Sequence, residues 1–168
     1  RLASLIAIAK GELPQSHWFK LNRALTETSG GKALLSWSGT MFEYLMPLLV
    51  MKPYPSTLLG DTYRAVVNAQ RDYGRLRNVP WGISESAYSG VDFEKTYQYR
   101  AFGIPGLGLK RGLAEDIVVS PYSTMLSLMV NAPESVKNLK VLEGDGLRGE
   151  FGFYEAVDYT PERLGADE

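Results

Sequence analysis

The sequence predicts a mainly α-helical protein, an α-helical toroid or bundle whose loops gather at one end. Apolar residues recur at helical spacing in several separate segments, and aromatic- and glycine-rich stretches lie between them. The alternating pattern of a half-buried strand is scarce. A chain of 168 residues, 45% of them hydrophobic, is long enough for one domain with a substantial core.

The chain begins with the pattern of an amphipathic helix. Leu2, Leu5, Ile6 and Ala9 have the i, i+3, i+4, i+7 spacing of one helical face, and Gly11 ends the helix. No initiating Met, signal peptide or N-cap precedes this pattern. We therefore interpret the sequence as a segment of a longer polypeptide.

Two further helices are predicted in the first half of the chain. Residues 33–37 are a short apolar run that can be extended, and residues 41–49 are apolar on nearly every face, as in a buried helix. Ser56 is a good N-cap for a long helix that continues through Tyr73 and is closed by Gly74. The inward stripe of this helix has five members: Leu59, Tyr63, Val66, Val67 and Gln70.

The second half alternates loops with shorter helices. Residues 78–112 are rich in Gly and Pro, which predicts a long loop with at most short elements, and loops of that length are usually functional. Ser120 and Pro121 are the N-cap and first residue of a helix, and a second helix covers residues 133–142. We expect six residues to be buried: Leu5, Leu45, Leu59, Val66, Leu126 and Met129.

Composition excludes several kinds of site. The net charge is −1, with 18 basic and 19 acidic residues interspersed, so no basic surface indicates a nucleic-acid partner. There is no cysteine and one histidine, His17, which rules out disulfides, cysteine nucleophiles and histidine-rich metal sites. No apolar stretch reaches the roughly 18–20 residues that span a bilayer. We expect no metal, no cofactor and no direct membrane insertion by this segment.

Residues 80–88, with the sequence Pro-Trp-Gly-Ile-Ser-Glu-Ser-Ala-Tyr, have the ingredients of a sugar site. Trp81 and Tyr88 can stack on pyranose rings, and Glu85 between them can reach a glycosidic oxygen or an anomeric carbon. Glycoside chemistry uses two carboxyl groups, about 5–5.5 Å apart in retaining enzymes and roughly 6.5–9.5 Å apart in inverting ones. The alternative is that Glu85 is a solvated or capping residue.

Residues 152–159 also combine carboxylates with aromatic side chains. Tyr154 and Glu155 are substrate-binding candidates in this segment. Glu155 and Asp158 are three residues apart, so on a helix they would share one face. The alternative is the ordinary acidic face of a surface helix.

Residues 36–44 are the third such segment, with Trp37 and Glu43 as substrate-binding candidates. Glu43 lies inside an otherwise apolar helix, where a carboxylate must be paired, hydrogen-bonded or directed into a cavity. A buried structural partner for an arginine is the alternative.

Residues 97–112 form a glycine-rich segment that fits a loop lining a sugar cleft. Its glycines lack the preceding strand, the third glycine and the Gly-Lys-Ser/Thr of a phosphate-binding loop. The substrate-binding candidates are Tyr97, Gln98, Tyr99 and Arg100.

Together these four segments resemble the central, glucoamylase-like domain of cyclic β-1,2-glucan synthases. They occur in that family's order and at about its spacing. The residues that match it best lie in four runs: 36–47, 80–88, 106–112 and 152–161.

The resemblance implies an (α/α)6-type helical toroid with long Gly- and aromatic-rich loops. Residues 1–168 would be a single fragment of it, without the N-terminal and further toroid helices. In that family the domain closes linear β-1,2-glucan into a ring by retaining transglycosylation. Glu85 matches the acidic residue of the Trp-Gly-Ile-Ser-Glu-Ser motif, taken as the catalytic acid/base, and its partner would lie just before Arg1. The segment alone would then be inactive.

The resemblance also implies the surroundings of the segment. The whole protein would be a large enzyme of the bacterial inner membrane, with this segment on the cytoplasmic face. Its partners would be a β-1,2-glucan chain and the remaining domains of the same polypeptide. Residue types do not separate transfer from hydrolysis. A β-1,2-glucan hydrolase domain and a non-catalytic glucan-binding or structural helical module are the alternatives.

Overall fold

The computed structural model describes residues 2–164, and about 42% of it is helical. Arg1, beside which we expect the second carboxyl group, lies outside the described residues. The helices are α1 (Leu2–Ala9), α2 (Ser16–Lys20), α3 (Met41–Leu45, continued by a 3-10 turn at Met46–Leu49), α4 (Leu58–Arg77), α5 (Pro121–Leu126), α6 (Leu128–Gly144) and α7 (Pro161–Leu164). No helix within this part of the chain combines the length and apolar character that crossing a bilayer requires.

Eight short strands accompany the helices. They are β1 (Leu25–Thr28), β2 (Gly31–Leu34), β3 (Ser86–Val91), β4 (Tyr97–Arg100), β5 (Val118–Val119), β6 (Arg148–Gly149), β7 (Gly152–Phe153) and β8 (Val157–Asp158). They pair antiparallel as β1–β2, β3–β4, β5–β8 and β6–β7. Residues 78–112 therefore hold only one hairpin, as predicted.

Helix α4 crosses the centre of the molecule and carries much of its core. Tyr63, Val66, Val67 and Gln70 of the predicted stripe are buried, while Leu59 is half-buried. Met41 and Leu45 of α3 and Leu142 of α6 belong to the same core cluster. Burial of this stripe removes apolar surface from water and so stabilises the fold.

The ends of α4 differ from the prediction. Thr57, not Ser56, is the N-cap, because its side-chain oxygen accepts a hydrogen bond from the Gly60 N–H at 3.1 Å. The helix passes through Gly74 and ends at Arg77, with Asn78 in the left-handed conformation. Gly74 is required for packing: a Cβ there would lie 2.9 Å from the Cβ of Trp81.

The predicted burial is confirmed for Leu45 and Val66 and wrong for Met129, which is 40% exposed. Leu5, Leu59 and Leu126 are half-buried. Asn131, with φ −147° and ψ 77°, interrupts the helical backbone just after Met129. The sequence predicts a break before the second helix at residue 133, whereas that helix, α6, already begins at Leu128 and therefore contains Met129.

Candidate active site

The loop that carries Glu85 is fixed at the residues just before it. The Gln70 side chain exchanges two hydrogen bonds with the main chain of Ile83, each 2.9 Å long. The carbonyl of Gly82 accepts hydrogen bonds from the Ser120 N–H at 2.9 Å and the Ser123 hydroxyl at 2.8 Å. Elements α4 and α5 thus place Glu85 at the start of β3.

Two hydroxyl groups, those of Ser84 and Tyr122, lie next to the main chain of Glu85. The Tyr122 oxygen is 2.8 Å from the Glu85 carbonyl oxygen and 2.8 Å from the Ser84 Oγ. Ser84 Oγ also accepts a hydrogen bond of 3.0 Å from the Phe42 N–H. Our sequence interpretation missed Ser84 and Tyr122. The only signal for Tyr122 is its place in the first turn after the Ser120 and Pro121 helix start.

The Glu85 side chain is half-buried and lies among other acidic and phenolic groups. Burial raises the pKa of Glu85, and the negative charge of Glu43 raises it further, while a hydrogen bond from Tyr99 lowers it; the net direction is upward. A carboxyl group with a raised pKa can hold a proton closer to neutral pH, as a general acid must.

Glu43 is exposed, which excludes the alternative that it is a buried structural partner for an arginine. Its Oε2 accepts hydrogen bonds from the N–H groups of Ser38 (3.0 Å) and Gly39 (3.1 Å). The Thr40 hydroxyl in turn accepts one from the Glu43 N–H at 3.0 Å. This is a variant of the capping box, which the Thr-x-x-Glu spacing could have identified.

Glu155 approaches the site from a distant part of the chain. Its Oε1 accepts a hydrogen bond of 2.9 Å from the N–H of Ala87, the second residue of β3. The helical face that we predicted for Glu155 and Asp158 is wrong, because Asp158 lies in strand β8 and Glu155 in the loop before it. Gly152, with φ +116°, belongs to a tight β6–β7 hairpin instead of a helix.

The strand β4 candidates divide into two pairs by strand alternation. Tyr97 and Tyr99 are 68% and 62% exposed, and Tyr99 reaches Glu85. Gln98 instead donates a hydrogen bond to Asp92. Arg100 pairs with Asp116 at 3.2 Å and lies over Phe102. Tyr99 is the β4 side chain in contact with the carboxyl group.

The aromatic candidates differ in their availability to a ligand. Trp81 is 8% exposed and packs in the core against Gly74, so it supports the loop from within. Tyr88 packs edge-on against Phe102, with ring centres 5.2 Å apart, and the Arg163 guanidinium carbon lies 5.0 Å from the centre of the Tyr88 ring. Trp81 is therefore closed to a ligand here, and Tyr88 already has two partners at its ring. Trp37 and Tyr154, by contrast, are 68% and 59% exposed.

The segments at 36–44 and 97–112 lie against each other. The Leu107 carbonyl accepts a hydrogen bond of 3.1 Å from the Ser36 N–H, and Leu109 donates one of 3.2 Å back to the Ser36 carbonyl. Gly103 packs so closely that a Cβ on it would overlap the Ser38 carbonyl oxygen. This contact connects the Trp37 and Glu43 segment with the strand that carries Tyr99.

The structure thus gathers Glu85, Glu43, Glu155, Tyr99 and Tyr122 in one region. Between residues 2 and 164 no cluster of three His, Asp or Glu side chains is arranged to hold a metal ion. A half-buried carboxyl group with a raised pKa, two further carboxylates and exposed aromatic rings can together bind a sugar chain and transfer a proton to it.

Comparison with known proteins connects this site to one family. Residues 1–166 match the model of the Glycoamylase family, described as glucoamylase. The chain is 48% identical over 164 residues to the cyclic β-(1,2)-glucan synthase NdvB of Rhizobium meliloti (strain 1021). This match covers 98% of the chain but only 6% of that relative's length.

A solved structure shares the fold. The endo-β-1,2-glucanase of Chitinophaga pinensis, in complex with sophorotriose and glucose, superposes with a TM-score of 0.59. The match covers 85% of this chain and 36% of the glucanase, at 18% sequence identity.

Proposed function

Because the chain belongs to the Glycoamylase family, we propose that it is the part of a carbohydrate-active enzyme that acts on β-1,2-glucan. The identity of 48% to a cyclic β-1,2-glucan synthase supports this substrate. The fold shared with an endo-β-1,2-glucanase agrees with it. The observation that carries the proposal is Glu85, half-buried, with a raised pKa and next to Glu43 and Tyr99.

Within this proposal the reaction is retaining transglycosylation that closes linear glucan into a ring. Glu85 donates its proton to the glycosidic oxygen while the bond to the anomeric carbon breaks, and a second carboxylate takes up that carbon. Glu85 then accepts the proton of the sugar hydroxyl that displaces this carboxylate. The nucleophile implied by the resemblance precedes Arg1, so we expect residues 1–168 alone to be inactive.

The substrate contacts in this proposal are four exposed aromatic side chains: Trp37, Tyr97, Tyr99 and Tyr154. Glu43 and Glu155 border the same region and can accept hydrogen bonds from sugar hydroxyl groups. We also propose that the segment forms part of an (α/α)6-type toroid, with the other helices supplied by the same polypeptide. The place of that polypeptide at the cytoplasmic face of the bacterial inner membrane is part of the same proposal.

The test uses the full-length natural protein with linear β-1,2-glucan as substrate. Glu85→Gln should abolish turnover and leave the fold and glucan binding intact, whereas Glu27→Gln, an exposed residue of β1, should not change the rate. A substrate whose leaving group requires no protonation should recover part of the first step. Wild-type activity in Glu85→Gln would make Glu85 structural and Glu155 the better candidate.

The products of the same incubation decide between two chemistries. Cyclic glucan indicates attack by a sugar hydroxyl, and short linear products indicate attack by water, as in a hydrolase.

A glucan-binding module without catalysis is the second candidate function. The exposure of Trp37 and Tyr154 favours it, because exposed aromatic rings bind sugars whether or not a reaction follows. Calorimetric titration with β-1,2-glucan, together with the activity assay, separates the possibilities. Heat of binding without turnover supports the module, and the absence of both supports a structural role.

A further inference from the structure

A chain of hydroxyl groups connects the first turn of α5 with the peptide of Glu85. Phe42 N–H lies 3.0 Å from Ser84 Oγ, which lies 2.8 Å from the Tyr122 hydroxyl. The Tyr122 hydroxyl lies 2.8 Å from the Glu85 carbonyl oxygen. The three hydrogen bonds join residues 42, 84, 85 and 122, which come from three different elements.

The protons in this chain can be placed in only one way. A backbone N–H only donates and a carbonyl oxygen only accepts, whereas each hydroxyl can do both. Tyr122 must therefore donate its single proton to the Glu85 carbonyl. Ser84 must then donate its own proton to Tyr122, and it accepts from the Phe42 N–H. Every proton is used once, and the direction of the Tyr122 hydroxyl is fixed.

The Tyr122 ring is also fixed, by packing against a neighbouring ring. It packs edge-on against Phe42, with ring centres 6.3 Å apart and planes at 70°. Ser84 is fully buried, so water does not compete for its hydroxyl group. Tyr122 also lies between Ser120, the N-cap of α5, and Ser123, which both donate hydrogen bonds to the Gly82 carbonyl.

The charges around Tyr122 keep it a proton donor. Burial raises the pKa of Tyr122, the hydrogen bond from Ser84 lowers it, and electrostatic interactions with Glu85, Tyr99 and Glu155 raise it further. The net shift is well above the ordinary value of a tyrosine. The phenol therefore stays protonated at any pH at which a glycoside-processing enzyme works.

We propose that Tyr122 is a positioning residue for Glu85, with its hydroxyl group fixing the peptide from which the Glu85 side chain projects, and that Ser84 fixes the direction of the Tyr122 hydroxyl. The proposal rests on the function proposed above. A displacement of about 1 Å in a catalytic group can lower a rate roughly 100-fold. Loss of the Tyr122 anchor would permit a displacement of this size without changing the groups that bind glucan.

The test is Tyr122→Phe in the full-length natural protein, which removes the hydroxyl group and keeps the ring against Phe42. We expect kcat on linear β-1,2-glucan to fall about 10- to 100-fold with KM changed less than about twofold. Tyr159→Phe is the matched control, because its half-buried hydroxyl is directed at Asp145, 3.5 Å away, and not at Glu85. The control should retain the wild-type rate.

A double variant separates positioning from a general structural role. In the Glu85→Gln background, an aryl β-1,2-glucoside with a good leaving group reports the remaining first step. A residue that acts through the Glu85 carboxyl group has little left to position there, so Tyr122→Phe should change this residual rate less than about twofold. An equal loss in both backgrounds would overturn the proposal.

The remaining outcomes are also decisive. If Glu85→Gln is inactive on glucan and Tyr122→Phe retains the wild-type kcat, the proposed function stands and Tyr122 has no positioning role. If Glu85→Gln remains active, the assignment of Glu85 fails, and the role of Tyr122 fails with it. If Tyr122→Phe does not fold, Ser84→Ala replaces it: a lower kcat at unchanged KM supports the proposal, and an unchanged kcat overturns it.

Discussion

The side-chain amide of Gln70 pairs with the main chain of Ile83 as a neighbouring strand would. Gln70 Nε2 donates to the Ile83 carbonyl and Gln70 Oε1 accepts from the Ile83 N–H, at 2.9 Å each. Both residues are 1% exposed. The central helix α4 thereby fixes the backbone two residues before Glu85.

Replacement of Gln70 by leucine should destabilise the protein. The Ile83 carbonyl keeps a second donor, the Met41 N–H at 3.3 Å, but the Ile83 N–H loses its partner in a buried place. An unpaired buried donor costs about 1–3 kcal/mol, so we expect the free energy of unfolding in urea to fall by that amount. Gln15→Leu, at an exposed residue without a side-chain capping bond, should change it by less than about 0.5 kcal/mol. Equal stability of the two variants would contradict the prediction.

Gly103→Ala should be among the most destructive single substitutions in the chain. The added methyl would overlap the Ser38 carbonyl and lie 2.6 Å from the Gly39 carbonyl carbon, so backbone would have to move. We expect a loss of at least about 3 kcal/mol, or failure to fold. Gly144→Ala, where a Cβ meets nothing within 4 Å, should leave stability unchanged or raise it slightly. Thermal unfolding of both variants is the measurement.

Arg163 should contribute stability that depends on pH. Burial raises the pKa of Asp158, but hydrogen bonds from Arg163, Ser89 and Thr160 outweigh this and hold it below the ordinary value. A lowered carboxyl pKa stabilises the fold above the unfolded-state value of about 3.9, and the contribution is lost as the pH falls through the folded-state value.

Arg163→Met should therefore lower the free energy of unfolding by about 2–4 kcal/mol at pH 7 and by clearly less near pH 2. Urea unfolding at both pH values tests this. Arg75→Met is the control, because its pair with Asp72 is 72% and 42% exposed and worth less than about 1 kcal/mol. A loss that is the same at both pH values would rule out the ionic origin.

Two neighbours of Glu85 should move the pH–rate profile in opposite directions. A general acid is active while protonated, so activity falls as the pH rises through its pKa. Tyr99 lowers the Glu85 pKa and Glu43 raises it. Tyr99→Phe should therefore shift the alkaline limb of kcat/KM to higher pH, and Glu43→Gln should shift it to lower pH. Shifts of the acidic limb instead would show that Glu85 acts in its ionised form.

Helical periodicity predicted the central helix well but not the ends of elements. The stripe of α4 from Tyr63 to Gln70 follows from a 3.6-residue repeat, and the buried positions of the helix continue on either side of it, from Gly60 to Gly74. The sequence predicts a helix end at Gly74, because glycine weakens helices. Its actual role, close contact with Trp81, depends on a loop elsewhere in the molecule. Two-residue strands such as β5 and β8 leave no periodic pattern at all.

The sequence predicts the carboxylates of the candidate site but not the residues that hold the main chain of Glu85. Glu85 and Glu155 are recognisable in the sequence as acidic residues among aromatics. In the structure Glu85 directly precedes β3, Glu155 accepts a hydrogen bond from Ala87 of β3, and both interact with Tyr99. Trp81 and Tyr88 also stood out as aromatics, but packing decides which ring is exposed, and spacing carries no such information. Ser84 and Tyr122 become a pair only when α5 lies beneath the loop.

The hydrogen bond between Glu155 and Ala87 can form only late in the synthesis of the chain. The two residues are 68 positions apart, and synthesis proceeds at roughly 5–20 residues per second. The Ala87 N–H, two residues after Glu85, therefore lacks its Glu155 partner for about 3–14 s after Ala87 has been synthesised. During this interval β3 has an unpaired N–H at Ala87. We expect protease cleavage of nascent chains to persist in this loop after α4 has become resistant.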